Sequence, residues 1–295
     1  MPVKSGVDFP YPVAVLRWAG NWVTSLCADL QERNAGAALT TSAMAAGSIV
    51  ETDVVIKTAD GNCDAALFYP LGNGSWPGAV IFADALGLRP AFRDMGRRLA
   101  LEGYTVLVPN PFYRTRVAPV LSGPFDFSKP EDRAKLTDLM APLTAEVKVR
   151  DGTAYIAYLD TLSQVNTKVP IGVSGYCMGG PYTMLIAAAV PARVGASGSF
   201  HGGNLVTDKP DSPHLLAPKI TANYYFAIAT NDDQRQPDAK DKLREAFDAA
   251  HHPAKIEVYE SCSHGWCVSD GMVYNKAGAE RAWGELIALY KTSLA

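Results

Sequence analysis

From Ile49 to the C-terminus, short apolar runs trade places with windows whose apolar residues recur at helical spacing, and this alternation constrains the fold more than any other feature. GAVIFAD, TVLVPN, VPIGVSGY, VGASGSF, YYFAIA and KIEVYE read as short strands. Between them, Phe92, Met95 and Leu99 share one helical face. Val147, Tyr155, Tyr158, Leu159 and Leu162 mark a second helix, Leu243 and Phe247 another, and Trp283, Leu286, Ile287 and Tyr290 the last. SIVETDVVIKT and CDAALFYP precede them as a hairpin closed at Asp60 and Gly61. Strand and helix alternating this often require an α/β fold, with a mainly parallel central sheet covered by helices on both faces.

Two segments stand outside the alternation. Residues 1–47 read as an N-terminal extension, with a possible amphipathic helix over 17–33 and the small-residue linker AGAALTTSAMAAGS, ahead of one α/β domain over 48–295. Residues 111–142 read as a polar, proline-rich excursion of the kind that carries function.

A net charge of -3 leaves no basic field to neutralise phosphates, so neither nucleic acid nor a membrane surface is expected as partner, and a small molecule is. The cysteines number 5, an odd and irregularly spaced set that does not form a disulfide framework and points to a reducing, cytoplasmic compartment. PYPVAVLRWAGNWV is too short to span a bilayer. A monomer or weak homodimer is expected.

In VSGYCMGGPY, Cys177 is centred between glycines, after an expected strand and before an expected helix. That is the setting of a nucleophile elbow, where a sharp turn strains the central residue and neighbours without Cβ atoms let adjacent chains pass. The helix N-terminus stabilises a thiolate, and the Met178 N–H would point at a developing oxyanion. A base on such a sheet comes late in the chain, and His264 in ESCSHGWC is so placed. The acid that orients it belongs after the preceding strand, where YYFAIATNDDQ offers Asp232, with Asp233 as the alternative. Tyr176 and Trp266 either line the acyl pocket or simply pack.

These residues resemble the dienelactone hydrolase family, cysteine hydrolases of the α/β-hydrolase fold, over about residues 49 to 294. The resemblance rests on GYCMGG, on ADALGLRPAFRDMGRRLALEGYTVLVPNPFYR and on the late HGW. It implies Cys177 as nucleophile, His264 as base and acid, Asp232 as orienter, and backbone oxyanion donors at Met178 and Ala85. It further implies that Asp84 lies near the resting thiol, although the type enzymes carry a glutamate there, and that Arg114 binds a substrate carboxylate. The implied reaction cleaves small esters or lactones through a covalent acyl-enzyme, with no cofactor and no metal.

Three other readings compete. The same thiolate could act on phosphorus esters; the fold could be kept as a non-hydrolytic reactive-thiol sensor; or the elbow could belong to a class I glutamine amidotransferase, which the absence of a His-x-Glu at His264 disfavours. Cys262 and Cys267 flank His264 but lack a second ligand pair at zinc-finger spacing. His201, His214, His251 and His252 are expected to be surface or packing residues.

Overall fold

The computed structural model describes residues 47–121, 125–252 and 254–295. The expected helix over 17–33 and its linker lie outside them. The chain separates into Met1–Ala46 and Gly47–Ala295, and the fold that follows belongs to the second unit.

The hairpin forms from β1 (Ile49–Thr58) and β2 (Gly61–Pro70), paired antiparallel with Thr58 opposite Gly61. The short apolar runs become β3 (Gly78–Phe82), β4 (Thr105–Pro109), β5 (Ile171–Tyr176), β6 (Val194–Phe200), β7 (Asn223–Ala229) and β8 (Lys255–Tyr259). They build one 8-stranded sheet in the order β1-β2-β4-β3-β5-β6-β7-β8. Only the β1–β2 and β2–β4 pairings are antiparallel; the others are parallel. The chain steps from β3 outward to β4 and then crosses back to β5. The gap above the carboxyl ends of β3 and β5 is therefore a topological switch point, where open α/β sheets place their ligands.

Helices cover both faces: α1 (Pro90–Leu101), α2 (Pro130–Met140), α3 (Ala145–Leu159), α4 (Gly180–Ala189), α5 (Thr230–Arg235), α6 (Ala239–Ala249) and α7 (Lys276–Ser293). The period of two along each strand sorts side chains between the two layers. Ile81, Val106 and Val108 meet Leu99 of α1 and Leu286 of α7 on one face. Val80, Leu107 and Phe226 meet Tyr155 of α3, Ile186 of α4 and Phe247 of α6 on the other. At the β1 edge, Arg93 and Arg97 of α1 reach across to Glu51 at 2.9 and 2.6 Å.

The excursion over 111–142 is not all loop, because it contains α2. PEDRAKLTDLM starts on a proline, carries Glu131 and Asp132 in its first turn, and buries Leu136 and Leu139. Two buried leucines make too thin an apolar stripe to stand out from a polar, proline-flanked background. Leu162 lies beyond the end of α3, in the turn that follows it. Among the described residues no helix is long and apolar enough to cross a membrane.

Candidate active site

At the end of β5 the backbone of Cys177 takes φ +52°, a left-handed conformation that a non-glycine residue adopts at a cost of about 1–3 kcal/mol. The flanking glycines make that turn possible. A Cβ on Gly175 would fall on the carbonyl oxygen of Gly179, and one on Gly179 would fall on the carbonyl oxygen of Phe82 in the neighbouring β3. A short 3-10 turn, Cys177–Gly179, then feeds directly into α4, whose N-terminal turn lies beneath the thiol. Cys177 is half-buried, while Met178 and Ala85 beside it are buried.

His264 and Asp232 are fixed by bonds between the ends of β7 and β8. Thr230 donates its backbone N–H to the Cys262 carbonyl at 2.9 Å and its hydroxyl to the Tyr259 carbonyl at 2.8 Å. Asn231 Oδ1 accepts the backbone N–H of His264 at 2.8 Å. One residue on, Asp232 Oδ2 meets His264 Nδ1 at 2.7 Å. Asp233 is turned away and receives Lys240 Nζ at 2.6 Å, so the two aspartates offered by the sequence separate by register alone. The Cys177 thiol is the second group that acts on the His264 imidazole. Burial pushes the His264 imidazole down, but Asp232 and Cys177 outweigh it and raise the group from 6.5 to about 10. An imidazole in this setting is favoured in its protonated form.

The remaining expected residues are placed differently. Asp84 faces Arg89, which donates to both of its oxygens at 2.6 and 2.9 Å, and its Oδ1 also accepts the Leu86 N–H at 2.9 Å. Arg89 holds Asp270 as well, at 2.8 and 3.0 Å. It thereby ties the loop after β3 to the loop that carries His264. Arg114 makes two bonds of 2.7 Å to Asp151 and two to Asp60, at 2.9 and 2.6 Å. Four of its five N–H donors are thus committed within the protein, joining the hairpin turn to α3. Tyr176 and Trp266 pack rather than line a pocket wall at the thiol. Tyr176 is 2 % exposed and stacks on Phe200, and Trp266 is fully buried and stacks on Tyr259.

Of the two settings expected for His201, surface or packing, the structure gives packing. It is neither exposed nor peripheral: it follows β6 directly, is 1 % exposed, and its ring lies 5.1 Å from that of His264. The local signal was the strand-end context VGASGSFH, the same carboxyl edge that carries Cys177, Asp232 and His264. His214 bonds Ser212 and His252 bonds the Ala222 carbonyl, both away from these residues. Cys262 and Cys267 are buried free thiols, and among the described residues no group of three metal-ligating side chains comes together.

A third apolar cluster closes over the thiol. Phe112, Val120, Leu136, Leu139 and Leu143 pack with Ala85 and Met178, and Cys177 lies against them. Part of the excursion therefore forms the wall above the elbow.

Comparison with known proteins matches residues 63–294 to the dienelactone hydrolase family. A Synechocystis protein assigned as a carboxymethylenebutenolidase is 27% identical over 228 residues, 76% of this chain and 89% of its own length. A Klebsiella pneumoniae structure assigned to the dienelactone hydrolases superposes with a TM-score of 0.72 at 21% identity, covering 83% of this chain and 99% of that one. A dienelactone hydrolase-like promiscuous phosphotriesterase from metagenomic libraries has a TM-score of 0.65 at 18% identity, covering 84% of this chain and 100% of its own. With the match extending from β2 to the end of α7, the chain belongs to the dienelactone hydrolase family.

Proposed function

We propose that this chain hydrolyses small carboxylic esters or lactones with Cys177 as nucleophile, His264 as general base and acid, and Asp232 as its orienter. The observation that carries this reading is the 2.7 Å bond from Asp232 to His264, an imidazole that the Cys177 thiol also acts on, with the three residues at the carboxyl ends of β7, β8 and β5. In the first half-reaction His264 takes the thiol proton and the sulfur adds to the carbonyl carbon. The oxyanion develops toward the backbone N–H groups of Met178 and Ala85. Collapse breaks the ester C–O bond, His264 protonates the leaving oxygen, and a thioester remains on Cys177. Water, losing a proton to His264, then adds to the thioester and releases the acid and the thiol. A lactone keeps both fragments in one product.

The wall from Phe112, Val120, Leu136, Leu139 and Leu143 favours a compact, largely apolar acyl group. The ion pairs of Arg114 with Asp151 and Asp60 argue against its serving as a carboxylate clamp, so an acyl group without a second charge fits better. The test is a turnover panel of lactones, aryl carboxylic esters and phosphotriesters, with mass spectrometry of the trapped enzyme. An acyl adduct on Cys177 and loss of all turnover in Cys177→Ala are expected. Full turnover in that variant would remove the reading, and a preference for phosphotriesters would replace its electrophile.

A further inference from the structure

A buried imidazole ordinarily finds a partner for each nitrogen, because an unpaired polar group in the interior is costly. His201 finds none: both Nδ1 and Nε2 are buried and unpartnered. Its nitrogens therefore make no hydrogen bond, and what the residue offers its neighbours is the face and edge of a ring. Its backbone is also strained, with φ +40°. The strain is held by its N–H bond to the Ala227 carbonyl of β7 at 2.8 Å and, two residues on, by the Gly203 N–H to the Cys177 carbonyl at 3.2 Å. The ring contacts explain where this effort is directed. His201 meets His264 edge to face at 5.1 Å and 64°, Trp266 at 5.1 Å and 65°, and Tyr176, the residue before the nucleophile, at 6.0 Å.

We propose that His201 is a positioning residue for His264, its buried ring seating the imidazole so that it stays in line between Asp232 and the Cys177 thiol. This rests on the reading of His264 as the general base. The seat is suited to the task because it does not compete for the proton. The titratable side chains that face it are His264, from the loop after β8, and Tyr176, from β5. Burial first, and the like charge of His264 second, hold His201 well below the ordinary histidine range. The site therefore carries one imidazolium and never two. Trp266, anchored by its own stack on Tyr259, backs the seat from behind.

Two variants separate positioning from bulk. His201→Asn keeps a side chain that accepts left-handed backbone but removes the ring; His201→Phe keeps the ring and removes the nitrogens. With p-nitrophenyl acetate, H201N is expected to lower kcat by roughly tenfold to a hundredfold with KM within about twofold. The limb of its pH profile set by His264 should move to lower pH, because a loosened imidazole loses the partners that raise it. H201F should restore most of the rate. In the unaltered enzyme, nitrogen NMR of the imidazoles should show His201 neutral throughout about pH 5 to 11 while its signals step as His264 titrates near pH 10. An unshifted profile in folded H201N, or a His201 ring that itself titrates in that range or ignores the His264 step, overturns the proposal. His264→Ala distinguishes the two levels: if it is inactive while H201N behaves as the unaltered enzyme, only the seat is lost. If His264→Ala keeps full turnover, the general-base reading itself fails.

Discussion

Asp151 is 2 % exposed, and its charge is answered by two 2.7 Å bonds from Arg114. Arg114→Ala would leave that carboxylate buried and unpaired, which typically costs 3–5 kcal/mol, or about that much here. Chemical denaturation should show the loss, and KM for a charged and an uncharged ester should change alike; a rise confined to the charged ester would return Arg114 to the substrate. At the acid position, Asp232→Asn is expected to lower kcat by roughly a hundredfold to ten-thousandfold, while Asp233→Asn, which breaks only the Lys240 pair, leaves it within about threefold. The strained turn at Cys177 could be read from the sequence because the glycine elbow carries its own steric logic. Asp84 and Arg114 could not be read that way. The groups that claim Arg114 lie 54 and 37 residues away, and the second carboxylate on Arg89 lies 181 away, so nothing local announces either pairing.

Arg89 sits at the start of α1 and is only 12% exposed at its side chain, joining Asp84 after β3 to Asp270 in the loop that carries His264. Arg89→Ala is expected to slow kcat by roughly tenfold through misalignment of the loop after β3 and the loop that carries His264, with little change in the far-ultraviolet spectrum. Stopped-flow acylation of Cys177 would read it directly, and an unchanged acylation rate would reduce the clasp to a surface ion pair. The central strands β3 to β7 were legible because both faces are buried and their apolar runs are nearly continuous. α2 was not, since its role is to lay two leucines over the elbow, and that is a tertiary reason. The five-to-seven-residue strands also leave the turn between β5 and α4 no slack. Gly179→Ala pushes a methyl onto the Phe82 carbonyl and should cost about 1–3 kcal/mol or more, seen as a lower Tm together with lost turnover.

For the molecule as a whole, the raised His264 imidazole makes stability depend on pH. Its folded value of about 10 lies above its ordinary 6.5, so its contribution is fully present below about pH 6.5 and is lost as pH rises through about 10. The urea midpoint should therefore fall across that window, and fall less in Asp232→Asn; an equal fall in both would assign the loss to other groups. The α/β architecture with its mainly parallel sheet followed from alternation alone, whereas the meeting of His201 with His264 needed the sheet to be closed up in three dimensions. The β1 edge has a consequence of a different kind. Glu51, Asp53 and Lys57 stud the outermost strand, and Arg93 and Arg97 arch over the first two of them. An incoming strand would have to strip water and counterions from that ribbon before it could pair. The sheet is thereby given a finite width at this end, and neutralising the ribbon would turn the edge strand into a template for aggregation.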